Sequence, residues 1–181
     1  MRAVVVNAEL VVEQRRRLDI DRQDERWEGE WHFVNPPKLW HSRLNTQMAV
    51  ALTPRASAAG LVVYCESAGI FADLETDWRI PDQVYARADQ EIEEGLTGAE
   101  LVVEVRSPAD ESYAKLPFYA ARGITEAMIV HRDQRFELYR LDVSGEYQPV
   151  EDGASTVLGV TFTTADGPKL RIDWAEGSAE V

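Results

Sequence analysis

Glu104 stands in the run Leu101-Val102-Val103-Glu104-Val105, a carboxylate with apolar neighbours on both sides. Burying an ionised, unpaired carboxylate there costs several kcal/mol, so the group must be protonated, paired with a cation or bound to a metal. Asp82 follows Pro81 and is flanked by Ile80 and Val84 on a second candidate strand. Two carboxylates on neighbouring strands can converge within a few ångströms, and such oxygen ligands suit Mg²⁺ or Mn²⁺. Lys115 comes 11 residues after Glu104, where the next helix opens. An ammonium beside two carboxylates and a divalent cation can orient a water or stabilise charge on a phosphorane-like transition state. Each feature also has a plain structural reading: Pro-Asp commonly ends a strand, and a buried Glu beside a Lys is often a salt bridge.

These side chains need a sheet and a helix to hold them. The LVVEV run fits a central strand covered on both faces, and 61–66 (LVVYCE) and 78–86 (WRIPDQVYA) read as further strands. A helix is expected over about 112–122, stopped by Gly123, with Pro117 tolerable only near its start. Residues 127–130, 135–141 and 147–150 read as strands, the first two joined by a turn at 131–134. Upstream, Asn7 is an N-cap candidate for a helix ending in Arg15-Arg16-Arg17, where cations complement the helix dipole. Residues 27–34 read as an aromatic strand. Leu44, Met48 and Leu52 recur at helical spacing until Pro54, which should end or kink the helix. The last thirty or so residues read as a loop plus a weak strand over 169–174. The sum is an α/β (α+β) sandwich, expected as a single domain over 1–181 with a C-terminal β/loop extension from 143.

Composition narrows the function classes. Apolar residues at 45% and charged residues at 28% are ordinary for a globular chain of 181 residues. A net charge of −13 disfavours tight non-specific DNA binding, while leaving room for a local basic cleft or for carboxylates neutralised by bound cations. One Cys and three His argue against a structural zinc site. No GxGxxG, Walker loop, HExxH, CxxC or GxSxG occurs. No apolar run approaches the ~18 residues of a membrane helix, and the patch at 3–6 is too short for a signal peptide. The expectation is a cytoplasmic protein with no membrane association.

The ordered motifs carry a resemblance. They are Arg79-Ile80-Pro81-Asp82, then Glu100-Leu101-Val102-Val103-Glu104-Val105-Arg106-Ser107-Pro108, then Lys115-Leu116-Pro117-Phe118-Tyr119-Ala120 and Gly123-Ile124-Thr125-Glu126. The N-terminal half adds the stretch from Asp24-Glu25-Arg26-Trp27-Glu28 to Trp31-His32, then Pro36-Pro37 and His41-Ser42-Arg43-Leu44. Over roughly residues 14–142 the chain resembles the Uma2 family (DUF820) of restriction-endonuclease-like proteins, within the PD-(D/E)XK nuclease superfamily.

The resemblance implies a mixed sheet flanked by helices and a metal-dependent endonuclease acting on DNA. Asp82 and Glu104 would be ligands of Mg²⁺ or Mn²⁺, with the peptide carbonyl of Val105 completing the shell. The superfamily places its lysine two residues after the second acid, where this chain has Arg106, a permanently charged group and a poor base. In Uma2-like sequences that lysine is displaced to the following helix, here Lys115. Glu25 and Glu28 match an acidic N-terminal motif that holds a second metal or orders the first, although solvated surface charge also accounts for them. His41 heads a helix and is placed to touch substrate or to act as a cap, and Tyr119 lies on the Lys115 face of its helix. The tryptophans are expected in the core or at an oligomer interface, which suggests a homodimer or higher homo-oligomer. The competing reading is a catalytically silent oligomerising or nucleic-acid-binding protein of the same fold.

Overall fold

The computed structural model describes residues 8–66, 68–107, 111–165 and 169–181. The Asn7 cap, the apolar patch at 3–6 and Pro108 lie outside the described residues. In chain order the elements are α1 (Ala8–Arg17), β1 (Glu25–Trp27), β2 (Glu30–His32), α2 (Leu39–Ala58), β3 (Val62–Cys65), β4 (Ile70–Asp73), β5 (Asp77–Arg79) and β6 (Gln83–Ala86). There follow β7 (Glu91–Ile92), β8 (Gly95–Leu96), β9 (Leu101–Val105), α3 (Ser112–Ala121), β10 (Glu126–Val130), β11 (Phe136–Leu141) and β12 (Tyr147–Pro149). The chain closes with β13 (Ala154–Ser155), β14 (Val160–Ala165), β15 (Lys169–Trp174) and β16 (Gly177–Glu180).

The central sheet has the order β12-β11-β10-β9-β6-β3, with β9 and β10 parallel and the other neighbours antiparallel. Every residue of β9 is buried because both faces of the sheet are covered. Leu101, Val103 and Val105 point into one cluster with Leu44, Met48, Leu52 and Ala56 of α2. Val102 points the other way, toward Phe118 and Tyr119 of α3. Strand alternation therefore sends Glu104 to the α3 face, where the helix that follows β9 carries Lys115.

A second sheet, β2-β1-β5-β4-β8-β7, adds Ile70 and Leu96 to the α3-side cluster. Arg79 ties the two together. Its guanidinium lies 4.3 Å from the ring centres of both Trp27 and Phe118, and its Nη1 donates to Asp77 and to the Arg26 carbonyl.

Five expectations about elements change. The stretch read as one strand over 27–34 belongs to a hairpin, in which the chain turns at Glu28 and Gly29 between β1 and β2. Residues 78–86 form two strands in different sheets, β5 and β6, because Pro81 lacks the N–H that would continue a ladder. Asp82 thus sits on the corner between sheets and not within a strand. The helix at Pro54 runs on to Ala58: the proline is exposed, and the carbonyl it deprives of a partner belongs to Val50 on the outer face. Pro117 lies inside α3, in its second turn. The C-terminal stretch is a four-stranded antiparallel sheet in which Val160, Phe162, Leu170 and Ile172 join the α2-side cluster.

Candidate active site

α2 buries His41, Leu44, Asn45, Met48, Leu52 and Ala56, one stripe at helical spacing. The stripe is apolar along most of its length and polar at its N-terminal end, where His41 and Asn45 meet the ends of β3, β6 and β9. Asn45 Nδ2 donates to Glu66 Oε1 at 2.9 Å, and Gln83 Nε2 donates to Asn45 Oδ1 at 2.6 Å. Tyr85 in turn donates to Gln83 Oε1 at 2.5 Å, so this buried polar chain is satisfied through its length.

Asp82 occupies the meeting point. The Val105 N–H donates to its Oδ2 at 2.6 Å, and His41 Nε2 lies 3.3 Å from the same oxygen. Glu66 N–H donates to the Asp82 carbonyl at 3.0 Å, which places the Glu66 side chain beside it. His41, Glu66 and Asp82 each bring one ligand atom within 4.8 Å of the others, a spacing that fits a shared cation. Among the described residues, His41 Nδ1 is buried without a hydrogen-bond partner.

Glu104 and Lys115 form the other half. Lys115 Nζ lies 3.1 Å from Glu104 Oε1 and 2.8 Å from Glu25 Oε1. Tyr119, one turn beyond Lys115, donates to Glu104 Oε1 at 2.5 Å. Glu25 also accepts the Ile80 N–H at 2.8 Å and the Trp27 indole N–H at 2.8 Å. It is a buried clamp on Lys115 and not solvated surface charge. Both halves open on one cleft of about 480 Å³, which Glu25, His41, Glu66, Asp82, Glu104, Val105 and Lys115 line.

The electrostatics follow from burial acting together with crowded acids. Burial drives the Glu104 carboxyl upward; Lys115 opposes this, Asp82 and Glu25 reinforce it and Tyr119 opposes it, leaving the group at about 8. Burial lowers the Lys115 ammonium, but Glu104 and Glu25 more than offset that and hold it above its ordinary value. Burial also pulls His41 down, and the hydrogen bond and charge of Asp82, with Glu66 adding to them, raise it past its ordinary value.

Asp82, Glu104, Val105, Lys115, Glu25, His41 and Tyr119 are therefore brought together. Two residues are not. Glu28 is exposed at the β1–β2 turn, with φ of 49° followed by 92° at Gly29, so the tight hairpin turns its side chain away from the cleft. Arg106 lays its guanidinium 5.1 Å from the centre of the Tyr113 ring and is absent from the cleft lining. Glu66 was not among the expected residues. Its sequence signal is the one that exposed Glu104, a carboxylate ending an apolar strand run, and it adopts φ of 56°, a left-handed conformation costly for a residue with a Cβ.

The profile of the Uma2 family, described as "Putative restriction endonuclease", matches residues 12–165. The chain belongs to the Uma2 family. The match runs past the expected 14–142 and takes in β13 and β14. A crystal structure described as "a putative nuclease belonging to DUF820 from Anabaena variabilis ATCC 29413" shares the fold, with a TM-score of 0.58 and 13% identity over 75% of this Uma2 chain and 80% of that one. No curated protein matches the sequence. Among the described residues, no helix is long and apolar enough to cross a membrane.

Proposed function

We propose that this Uma2 protein is a divalent-metal-dependent endonuclease that hydrolyses phosphodiester bonds in DNA. The observation that carries the reading is the convergence on Asp82, whose carboxylate meets the end of β9, the head of α2 and Glu66 at one point. The donor set fits Mg²⁺ or Mn²⁺. Several carboxylates share a small volume with one cation between two of them, and burial, with Asp82 and Glu25 adding to it, raises Glu104. Asp82, Glu104 and the Val105 carbonyl would hold the metal, with Glu66 and His41 completing the shell; an imidazole in that shell leans toward Mn²⁺. A bound divalent cation would withdraw charge from the scissile phosphate and acidify the attacking water.

The chain's own groups do the rest. Lys115, wedged between Glu25 and Glu104, stays an ammonium, so its part is to orient a water and to stabilise charge developing on the phosphoryl oxygens, not to accept a proton. Glu25 and Tyr119 fix that ammonium and the Glu104 carboxylate in place. Trp27, Phe33, Pro36 and Pro37 line the cleft and limit the approach of bulk water.

One observation favours a second reading. Lys115 already has two carboxylate partners, as a purely structural ion pair would, and a silent protein of this fold would look the same at that residue. Cleavage of duplex, single-stranded and branched DNA with Mg²⁺ and with Mn²⁺ separates the two. The nuclease reading expects cleavage by the wild type and none by Glu104→Gln or Asp82→Asn. No cleavage of any of these DNAs, together with no heat on Mn²⁺ titration, would leave the silent reading.

A further inference from the structure

The first turn of α2 is a wall between two depressions. Lys38 and His41 line the acidic cleft, while Leu39 and Trp40 line a neighbouring groove of about 430 Å³ with Arg43, Leu44, Gln47, Arg132 and Gln134. Arg132 comes from the turn that follows β10, at the same end of the parallel pair as Glu104 and Val105. Ligands of open sheets gather at the carboxyl ends of such strands.

The charges at this place run against the rest of the molecule. With 32 acidic and 19 basic residues, an exposed cation generally finds a carboxylate, as Arg16, Arg22, Arg87 and Arg135 do. Lys38, Arg43 and Arg132 are exposed and carry no ion pair among the described residues. All three border this one wall. Arg132 is held with its guanidinium 5.5 Å from the centre of the Trp40 ring, which fixes its direction without neutralising it. Leu39 is 91% exposed beside them, an apolar surface at the mouth of the groove.

We propose that this groove seats the backbone of the DNA strand continuing from the scissile phosphate, with Arg43 and Arg132 on phosphates, so that the substrate is a polynucleotide and not a nucleotide or other small phosphoester. The proposal rests on the nuclease reading. The acidic cleft repels phosphate until a cation neutralises it, and the unpaired cations next door supply the attraction that draws a strand across it. Their occupant is therefore anionic, and because neighbouring residues of the first turn of α2 line both the groove and the cleft, one strand crossing that turn reaches both.

The test is fluorescence anisotropy on the full chain with a labelled strand of about 20 nucleotides, longer than the ~4–16 that a compact surface covers, with Ca²⁺ as an oxygen-seeking ion. The double variant Arg43→Gln/Arg132→Gln should raise Kd on the order of tenfold near 0.1 M salt, and lower the slope of log K against log salt by roughly 1.4. Arg87→Gln, which removes a cation paired with Glu100 at the opposite end of β9, should bind as the wild type does. Unchanged Kd and slope in the double variant would overturn the proposal. So would a change of oligomeric state with DNA binding intact, since that would give the groove to a second copy. Metal-dependent cleavage of the same strand is followed in parallel. Weakened binding with no wild-type cleavage keeps the groove as a DNA surface and removes the nuclease, while cleavage at unchanged KM in the double variant keeps the nuclease and removes the groove. A wild type that binds no DNA overturns both.

Discussion

The backbone N–H of Val105 donates to Asp82 Oδ2 at 2.6 Å, and this bond joins the two acidic motifs across a separation of 23 residues. It sets the end of the central strand against the corner where the chain passes from one sheet to the other. It also uses only one carboxylate oxygen, leaving Oδ1 free of this contact. Asp82→Asn can keep the bond through its amide oxygen while losing the charge. The variant should stay folded, with a thermal midpoint within a few degrees of the wild type, and should lose cleavage by on the order of a thousandfold or more. Circular dichroism and a DNA cleavage assay read the two quantities separately.

Lys115 is the only cation in contact with the buried pair Glu25 and Glu104 among the ion pairs of the described residues. Lys115→Met leaves two acids without it, and loss of one member of such a buried network costs about 3–5 kcal/mol. Urea denaturation should show a loss of that size, and Glu25→Gln in the same chain should recover part of it. A double variant no more stable than Lys115→Met would show that the two side chains are not coupled.

The raised Glu104 carboxyl makes the stability of the metal-free protein depend on pH. Folded, the group holds its proton up to about 8; unfolded, it releases it near its ordinary value of 4.5. Between those values the unfolded chain binds fewer protons, so stability falls as pH rises through this window and levels off above it. Denaturation in EDTA from pH 5 to about 9 should show that fall, and Glu104→Gln should lack its share of it. Mn²⁺ at the proposed site would need the ionised carboxylate and should displace a proton near neutral pH, which calorimetry in buffers of different ionisation enthalpy detects. Metal binding without proton release would contradict this.

Glu66→Gln keeps an oxygen for Asn45 Nδ2 and removes a charge from the His41–Glu66–Asp82 group. The Mn²⁺ affinity should fall by about tenfold or more, with little change in the urea midpoint. An unchanged affinity would place the metal away from this group.

The sequence made some of these residues visible and hid others for physical reasons. Glu104 was legible because a lone carboxylate in an apolar strand has few ways to exist, and Lys115 because the helix after that strand has to pack back over it. Asp82 was legible as a residue but not as a corner, since residues 78–86 alternate like one strand and only the sheet order shows the break at Pro81. Glu25 and Glu28 looked equivalent; the two positive φ angles at Glu28 and Gly29 separate them, and a glutamate at such an angle is not foreseeable from its type. Glu66 ends an apolar run as a visible carboxylate, but its place in the site depends on a left-handed backbone and on the distant Asn45. The C-terminal sheet was hard to see because β13 and β16 carry no apolar run, and in β14 Val160 and Phe162 give just one alternation before Thr163 and Thr164.

In the proposed site the acids on two distant segments share one divalent cation beside Lys115. Anomalous scattering from a crystal soaked in Mn²⁺ tests it most directly. A peak is expected within coordination distance of Asp82 and Glu104, with Glu66 or His41 in the same shell and the Lys115 ammonium facing it. A peak on surface carboxylates alone, or none at saturating Mn²⁺, would contradict it.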